Sequence, residues 1–195
     1  MDKRVDPRVI RTRQLLKEAF IELLKEMDIE KITVNRLAER ATINRVTFYL
    51  HYRDIPDMQE KLADEMVQEI ACVYESAKQE ANKTTGWKVI EKTLEYIAGN
   101  ADFYKVVLTS KNIPIFRDHL LAYLTERIVS RMESKDSYAQ KVGIEQDFLI
   151  WYDSSALIGT IIAWLKNDMP YTPEYMAKQF YLIRNRGSSV EYGKD

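Results

Sequence analysis

Residues 32–52 read Ile32-Thr33-Val34-Asn35-Arg36-Leu37-Ala38-Glu39-Arg40-Ala41-Thr42-Ile43-Asn44-Arg45-Val46-Thr47-Phe48-Tyr49-Leu50-His51-Tyr52. Thr33 can cap a helix whose inner face is Val34, Leu37, Ala38 and Ala41. Thr42 and Ile43 leave a break only a few residues long, and Asn44 can cap a second short helix from Arg45 to Tyr52. Two short helices joined this tightly form a helix-turn-helix pattern. The small Ala38 lies where the helices must cross closely, and Ile43 and Phe48 would fill the space between them. The exposed set is then Asn44, Arg45, Thr47, Tyr49 and His51. These are short polar or flat donors, suited to base edges and phosphates.

A longer helix precedes this unit. Asp6 is a good N-cap, Pro7 stands at the first helical position, and Leu16, Ala19, Phe20, Leu23, Leu24 and Met27 recur on one face. Arg8, Arg11, Arg13 and Lys17 cluster near its start, and a break at Asp28–Lys31 ends it. After the unit, Asp54 and Asp57 resemble a capping box. A long helix from Asp57 to about Asn82 points Met58, Leu62, Met66, Ile70, Val73 and Ala77 inward. A turn at Lys83–Gly86 leads to a helix over Trp87–Asn100, then one capped by Asp102 and one from Ile115 to about Glu133. Ser134–Val142 is a polar connection. Gln146–Asn167 is the most apolar helix, and Thr172 caps a last one from Pro173 to about Arg186. The expectation is an all-α chain of about nine helices. Residues 1–56 form one domain, residues 57–187 a second, and residues 188–195 a frayed tail.

Composition narrows the class. In 195 residues there are 6 Gly and 5 Pro, too few for the many turns of a sandwich or barrel. Cys72 is single, so an internal disulfide scaffold is excluded. The first fourteen residues are charged and hold no secretory apolar run. The longest near-continuous apolar stretch, Ala156 to Leu165, is half of the roughly 20 residues a membrane span needs. A soluble cytoplasmic chain with no membrane association is expected. Net charge is −1, but residues 1–56 carry 12 Lys and Arg against 9 Asp and Glu. A mildly basic front is compatible with an anionic partner.

Ile32-Thr33-Val34, Leu37-Ala38 and above all Thr47-Phe48-Tyr49-Leu50-His51-Tyr52 resemble the amino-terminal DNA-binding domain of the tetracycline-repressor (TetR) family. The similarity covers about residues 8–58, and the all-helical remainder has the family's usual length. The resemblance implies a helix-turn-helix DNA-binding domain followed by a helical ligand-binding and dimerisation domain. It implies phosphate contacts by Thr33, Tyr49 and His51, and base reading by Asn44, Arg45, Val46 and Thr47. Phe48 and Tyr52 read as core, and His51 can equally be a packed ring. Two departures stand out. The family usually has Gly where Thr42 stands, in a turn that calls for positive φ, which a β-branched residue resists. It commonly has Gly where Val46 stands, and a branched side chain there could meet a thymine methyl.

The resemblance further implies a homodimeric repressor, released from a palindromic DNA operator when a ligand in the body tilts the fourth helix. The many aromatic rings of the body suggest an apolar cavity for a small apolar or aromatic effector, with Tyr96, Phe103, Tyr104 and Trp151 as its walls. The alternative reading is an activator controlled by a protein partner. A helical enzyme is the remote third. His51 and His119 lie far apart, no glycine loop or metal spacing is present, and Asp153-Ser154-Ser155 has no histidine nearby. No catalytic residue, metal or cofactor is therefore expected. His119 reads as a surface residue. On the Gln146–Asn167 helix, Ser155, Gly159 and Ala163 recur every four residues, a stripe that lets another helix approach closely. With Tyr175 and Phe180, and with Met176 and Ile183 beside them, it is expected to form the dimer interface. The alternative is that the stripe seats a helix of the same subunit.

Overall fold

A computed structural model describes residues 6–80, 87–132 and 143–185. Among these residues the secondary structure is nine α-helices and one 3-10 turn, with no strand. The helices are α1 (Pro7–Glu26), α2 (Val34–Arg40), α3 (Arg45–Tyr49), α4 (Ile55–Glu80), α5 (Trp87–Gly99), α6 (Ala101–Thr109), α7 (Ile115–Met132), α8 (Gln146–Lys166) and α9 (Pro173–Asn185). The turn expected at 83–86, the connection expected at 134–142 and the tail over 188–195 lie outside the described residues.

Local capping chemistry sets the starts of the first four helices. Asp6 accepts from the Arg8 N–H at 2.8 Å, Thr33 Oγ1 from the Arg36 N–H at 3.3 Å, and Asn44 Oδ1 from the Val46 N–H at 2.8 Å. At α4, Asp54 accepts from the Asp57 N–H and Asp57 from the Arg53 N–H, each at 2.8 Å. That pair starts α4 at Ile55, so the domain boundary expected at 56/57 falls in its first turn. Asp102 does not cap α6. The helix begins at Ala101 after Asn100, and Asp102 instead faces Lys25 of α1 at 3.0 Å.

α1, α2 and α3 form a head on a body of six further helices. α1 lies on α2 and α2 on α3, while α4 packs against α5 and α7, α7 and α6 against α8, and α9 against α5. One buried cluster runs through both parts, from Leu16, Phe20, Leu37 and Phe48 to Leu62, Met66, Leu94, Val107, Phe116 and Trp164. Arg40 fastens α2 to α1 by a two-point contact with Glu26 at 2.8 and 2.7 Å, plus Glu22 at 3.2 Å. His119 of α7 faces Glu60 through Nε2 at 3.3 Å and Asp64 through Nδ1 at 3.1 Å, both on α4. Arg127 of α7 pairs with Glu75 and lies over the Tyr74 ring, a second tie between the same helices.

Thr42 does adopt positive φ, at 53°. Its N–H donates to Glu39 O at 3.1 Å and the Ile43 N–H to Ala38 O at 3.0 Å, the two reversed bonds of a Schellman ending of α2. Asp168 does the same at the end of α8, with φ 54° and bonds from Asp168 to Leu165 O and from Met169 to Trp164 O. Lys105 of α6 holds the Asp168 carboxylate there. A left-handed conformation costs an L-residue about 1–2 kcal/mol, part of which glycine loses again through its freer unfolded chain. Thr42→Gly is therefore expected to raise the unfolding free energy by about 0.5–1 kcal/mol in urea titrations. A lower midpoint than wild type would show that the threonine side chain holds the turn.

Candidate nucleic-acid interface

α3 has five residues, too few to persist alone. It is held by what lies at its two ends and beneath it. Asn44 caps the start, and Lys61 of α4 donates to His51 O at 3.1 Å beyond the end while also pairing with Asp57 at 2.9 Å. Phe48 is fully buried beneath, against the Tyr52 ring at 5.6 Å and edge-on to Tyr49 at 5.5 Å. Phe48 and Tyr52 are thus core residues, as their spacing suggested. The Tyr52 hydroxyl is buried without a hydrogen-bond partner, and burial pushes its pKa up to about 12.

With Phe48 turned inward, Asn44, Arg45, Val46 and Tyr49 are exposed together, and Thr33 is exposed at the start of α2. Thr47 and His51 are half-buried. Asn44 uses its side-chain oxygen for the cap, so its amide N–H groups are free to donate outward. Thr33 likewise spends its oxygen on the Arg36 N–H and keeps its own proton. Arg45 turns back along the helix, donating to the Tyr49 hydroxyl from Nη2 at 3.0 Å and from Nε at 3.3 Å. Burial, and then the nearby Arg13 charge, lower the His51 pKa, so the ring is a neutral donor at pH 7 rather than a cation.

The body places its expected residues unevenly. Tyr96, Phe103 and Tyr104 do meet. Tyr104 stands edge-on to Phe103 at 5.3 Å and to Tyr96 at 6.3 Å, and Phe116 joins at 6.1 Å from Phe103. The Tyr96 hydroxyl donates to Glu69 at 2.8 Å, while the buried Tyr104 hydroxyl has no partner. Concavities among the described residues include two open dents, one of about 450 Å³ along Ala98–Phe103 and one of about 320 Å³ beside Leu24–Lys31. Trp151 does not join the other rings: it is 66 % exposed on the outer face of α8. The periodicity of an almost wholly apolar helix does not tell inside from outside.

The small stripe lies on that same outer face. Ser155, Gly159 and Ala163 are exposed, and among the described residues a Cβ built on Gly159 would meet nothing within 4 Å. Tyr175 is exposed as well and stacks on Tyr171 at 4.9 Å. Phe180 is half-buried and packs on the core, and Met176 is buried. Leu182 and Ile183, one turn on, carry the exposed apolar surface of α9.

The model of the C-terminal region of TetR transcriptional regulators matches residues 86–186, more than half of the chain. The chain belongs to the TetR family of transcriptional regulators. An HTH-type transcriptional regulator of Bacillus subtilis (strain 168), YxbF, is 26 % identical over 187 residues, which is 92 % of this chain and 46 % of that protein. The chain thus spans about half the length of that relative. The crystal structure of a TetR transcriptional regulator from Streptococcus agalactiae 2603V is 25 % identical, with 90 % of this chain and 94 % of that one covered and a TM-score of 0.66. The regulator FadR of Bacillus subtilis, in complex with stearoyl-CoA, shares the fold at 20 % identity and a TM-score of 0.58, over 88 % and 97 % of the two chains.

In this TetR-family head one exposed residue escaped the sequence reading. Leu50 is 77 % exposed and stands four residues after Val46, itself 67 % exposed. The four-residue step was the available signal, hidden because both residues look like core on hydropathy alone. The depressed His51 pKa gives a sign for acid stability. The unfolded chain binds the proton more readily, so folding free energy is lost as pH falls from about 6.5, the ordinary imidazole value. His51→Gln should show a flatter loss of melting temperature between pH 6.5 and 5 than wild type. Parallel curves would contradict the burial of this ring as the cause.

Proposed function

We propose that this TetR-family chain acts in the cytoplasm as a homodimeric, operator-binding regulator whose α3 helices enter successive major grooves of a roughly palindromic duplex. The observation that carries this is the outward set of Asn44, Arg45, Val46 and Tyr49 on a helix whose other side is buried. Arg45 can bridge guanine O6 and N7, and Val46 with Leu50 offers apolar surface to thymine methyls. Thr33, Tyr49 and neutral His51 supply phosphate donors, with Thr47 near the base edges. Arg45→Ala should cost about 1–3 kcal/mol on the preferred duplex and little on random DNA in a gel-shift titration. Equal losses on both would remove Arg45 from base reading.

The dimer we infer pairs α8 and α9 with their symmetry mates. α8 is long and apolar enough, by length and composition, to cross a membrane. Its inner face instead packs on α6 and α7, and its outer face presents Phe148, Trp151 and Tyr152 beside the small stripe. A second copy covers such a surface without any side chain holding the axes apart. Gly159→Leu should therefore yield monomer by light scattering and lose operator binding, through an overpacking cost of about 1–3 kcal/mol at the crossing. A dimer that persists with full binding would place the interface elsewhere.

The regulation we infer is a repressor released by a small apolar or aromatic effector acting on the Tyr96–Phe103–Tyr104 cluster, with Lys17 of α1 lying 4.4 Å over the Phe103 ring as its link to the head. A second reading, an activator governed by a protein partner, is favoured by the close edge-on contacts among those rings. The two separate in a thermal-shift screen paired with gel shifts. A compound that raises the melting temperature must also weaken operator binding if it is the releasing effector. An absence of apolar hits would favour the protein partner.

A further inference from the structure

Arg45 has five N–H donors arranged in two usable edges. The side-on edge pairs Nε with Nη2, and the end-on edge pairs Nη1 with Nη2. The Tyr49 hydroxyl accepts from Nε at 3.3 Å and from Nη2 at 3.0 Å, so it occupies the side-on edge. The guanidinium carbon also lies 5.4 Å from the Tyr49 ring centre. Tyr49 is itself fixed, because its ring stands edge-on against the fully buried Phe48. A long flexible side chain is thereby tied, through a tyrosine, to the core of the head.

We propose that Tyr49 is a positioning residue for Arg45: its hydroxyl occupies the side-on edge of the guanidinium and leaves the end-on fork to face the base edge. The proposal rests on the operator-binding reading above and specifies how that face discriminates. Bidentate reading of guanine needs two parallel N–H groups at a set spacing, which the free end-on edge supplies. An arginine without this tie would have to lose its rotamer freedom on binding, whereas the held one has lost it already. The hydroxyl accepts twice and keeps its own proton, so Tyr49 can donate to a phosphate oxygen at the same time. Backbone contact and base reading are then coupled through one oxygen atom. This differs from the role implied for Tyr49 by resemblance, in which it touches phosphate and contributes equally on every sequence.

The test uses duplexes selected by the wild-type chain from a pool with a randomised central segment. The guanine whose replacement weakens wild-type binding, but not binding by Arg45→Ala, marks the base that Arg45 reads. Tyr49→Phe removes the hydroxyl and keeps the ring on Phe48. Its discrimination between the selected duplex and the guanine-replaced one should fall by about three- to tenfold, the range set by freeing one long side chain. In the Arg45→Ala background the same substitution should leave discrimination unchanged. Equal weakening on both duplexes would make Tyr49 a phosphate contact alone and overturn the proposal, as would unchanged binding to both. A pool that yields no preferred duplex, or no guanine of the required behaviour, would instead overturn the operator reading beneath it. A measurement on the free protein is independent of DNA. The Arg45 Nε proton should exchange with water more slowly in wild type than in Tyr49→Phe by NMR, and equal rates would overturn the tie.

Discussion

Burial of the Phe48 ring is the contact on which the head depends. α3 is little more than one turn long, and nothing in its own hydrogen bonding would keep it folded in water. The ring lies in the cluster shared with Leu16, Phe20 and Leu37, and that contact sets both the position of α3 and its rotation. Rotation matters more. With Phe48 inward, Val46 and Leu50, two residues to either side of it, are turned to the opposite, outer side of the helix. The Asn44 cap and the Lys61 ammonium then deal with the helix ends.

The head does not hang from α4 alone. Lys17 of α1 stands between Glu69 of α4, at 3.7 Å, and the Phe103 ring of α6, and Glu69 in turn receives the Tyr96 hydroxyl of α5. Lys25 reaches Asp102 of α6. Exposed ion pairs of this kind contribute little stability, typically 0–1 kcal/mol each, but they fix geometry between elements that share few apolar contacts. A change among the body's rings therefore has a short physical route to the angle of the head. His119 and Arg127 tie the other side of α4 to α7.

α8 carries an opposite requirement. Ile150, Ile161, Trp164 and Leu165 face the bundle, while Phe148, Trp151 and Tyr152 face away from it. Large aromatic groups in water are costly, at about 25 cal/mol per Å² of apolar surface, and the cost recurs along α9 at Tyr175, Leu182 and Ile183. The bare stripe at Gly159 between them is what a close helix crossing needs. This surface gives the proposed dimer its physical reason.

Local geometry was legible in the order of the residues. Asp6, Thr33, Asn44 and Asp54 marked helix starts because capping is a contact within a few residues, and the turn at Thr42 announced its positive φ where the family has glycine. The same short-range logic separated Phe48 and Tyr52 from the exposed face of α3, and the TetR resemblance followed from that run. The tertiary structure decided whatever depends on residues distant in sequence. Trp151 went outward, Phe180 went half inward, and Asp102 turned to Lys25 rather than capping α6. An all-apolar helix has no preferred face until its neighbours are packed, and a charged side chain has no partner until the fold supplies one. The pairing of Arg45 with Tyr49 lies between the two cases. Their four-residue spacing permits it, but only the burial of Phe48, which holds the tyrosine ring in place, selects it.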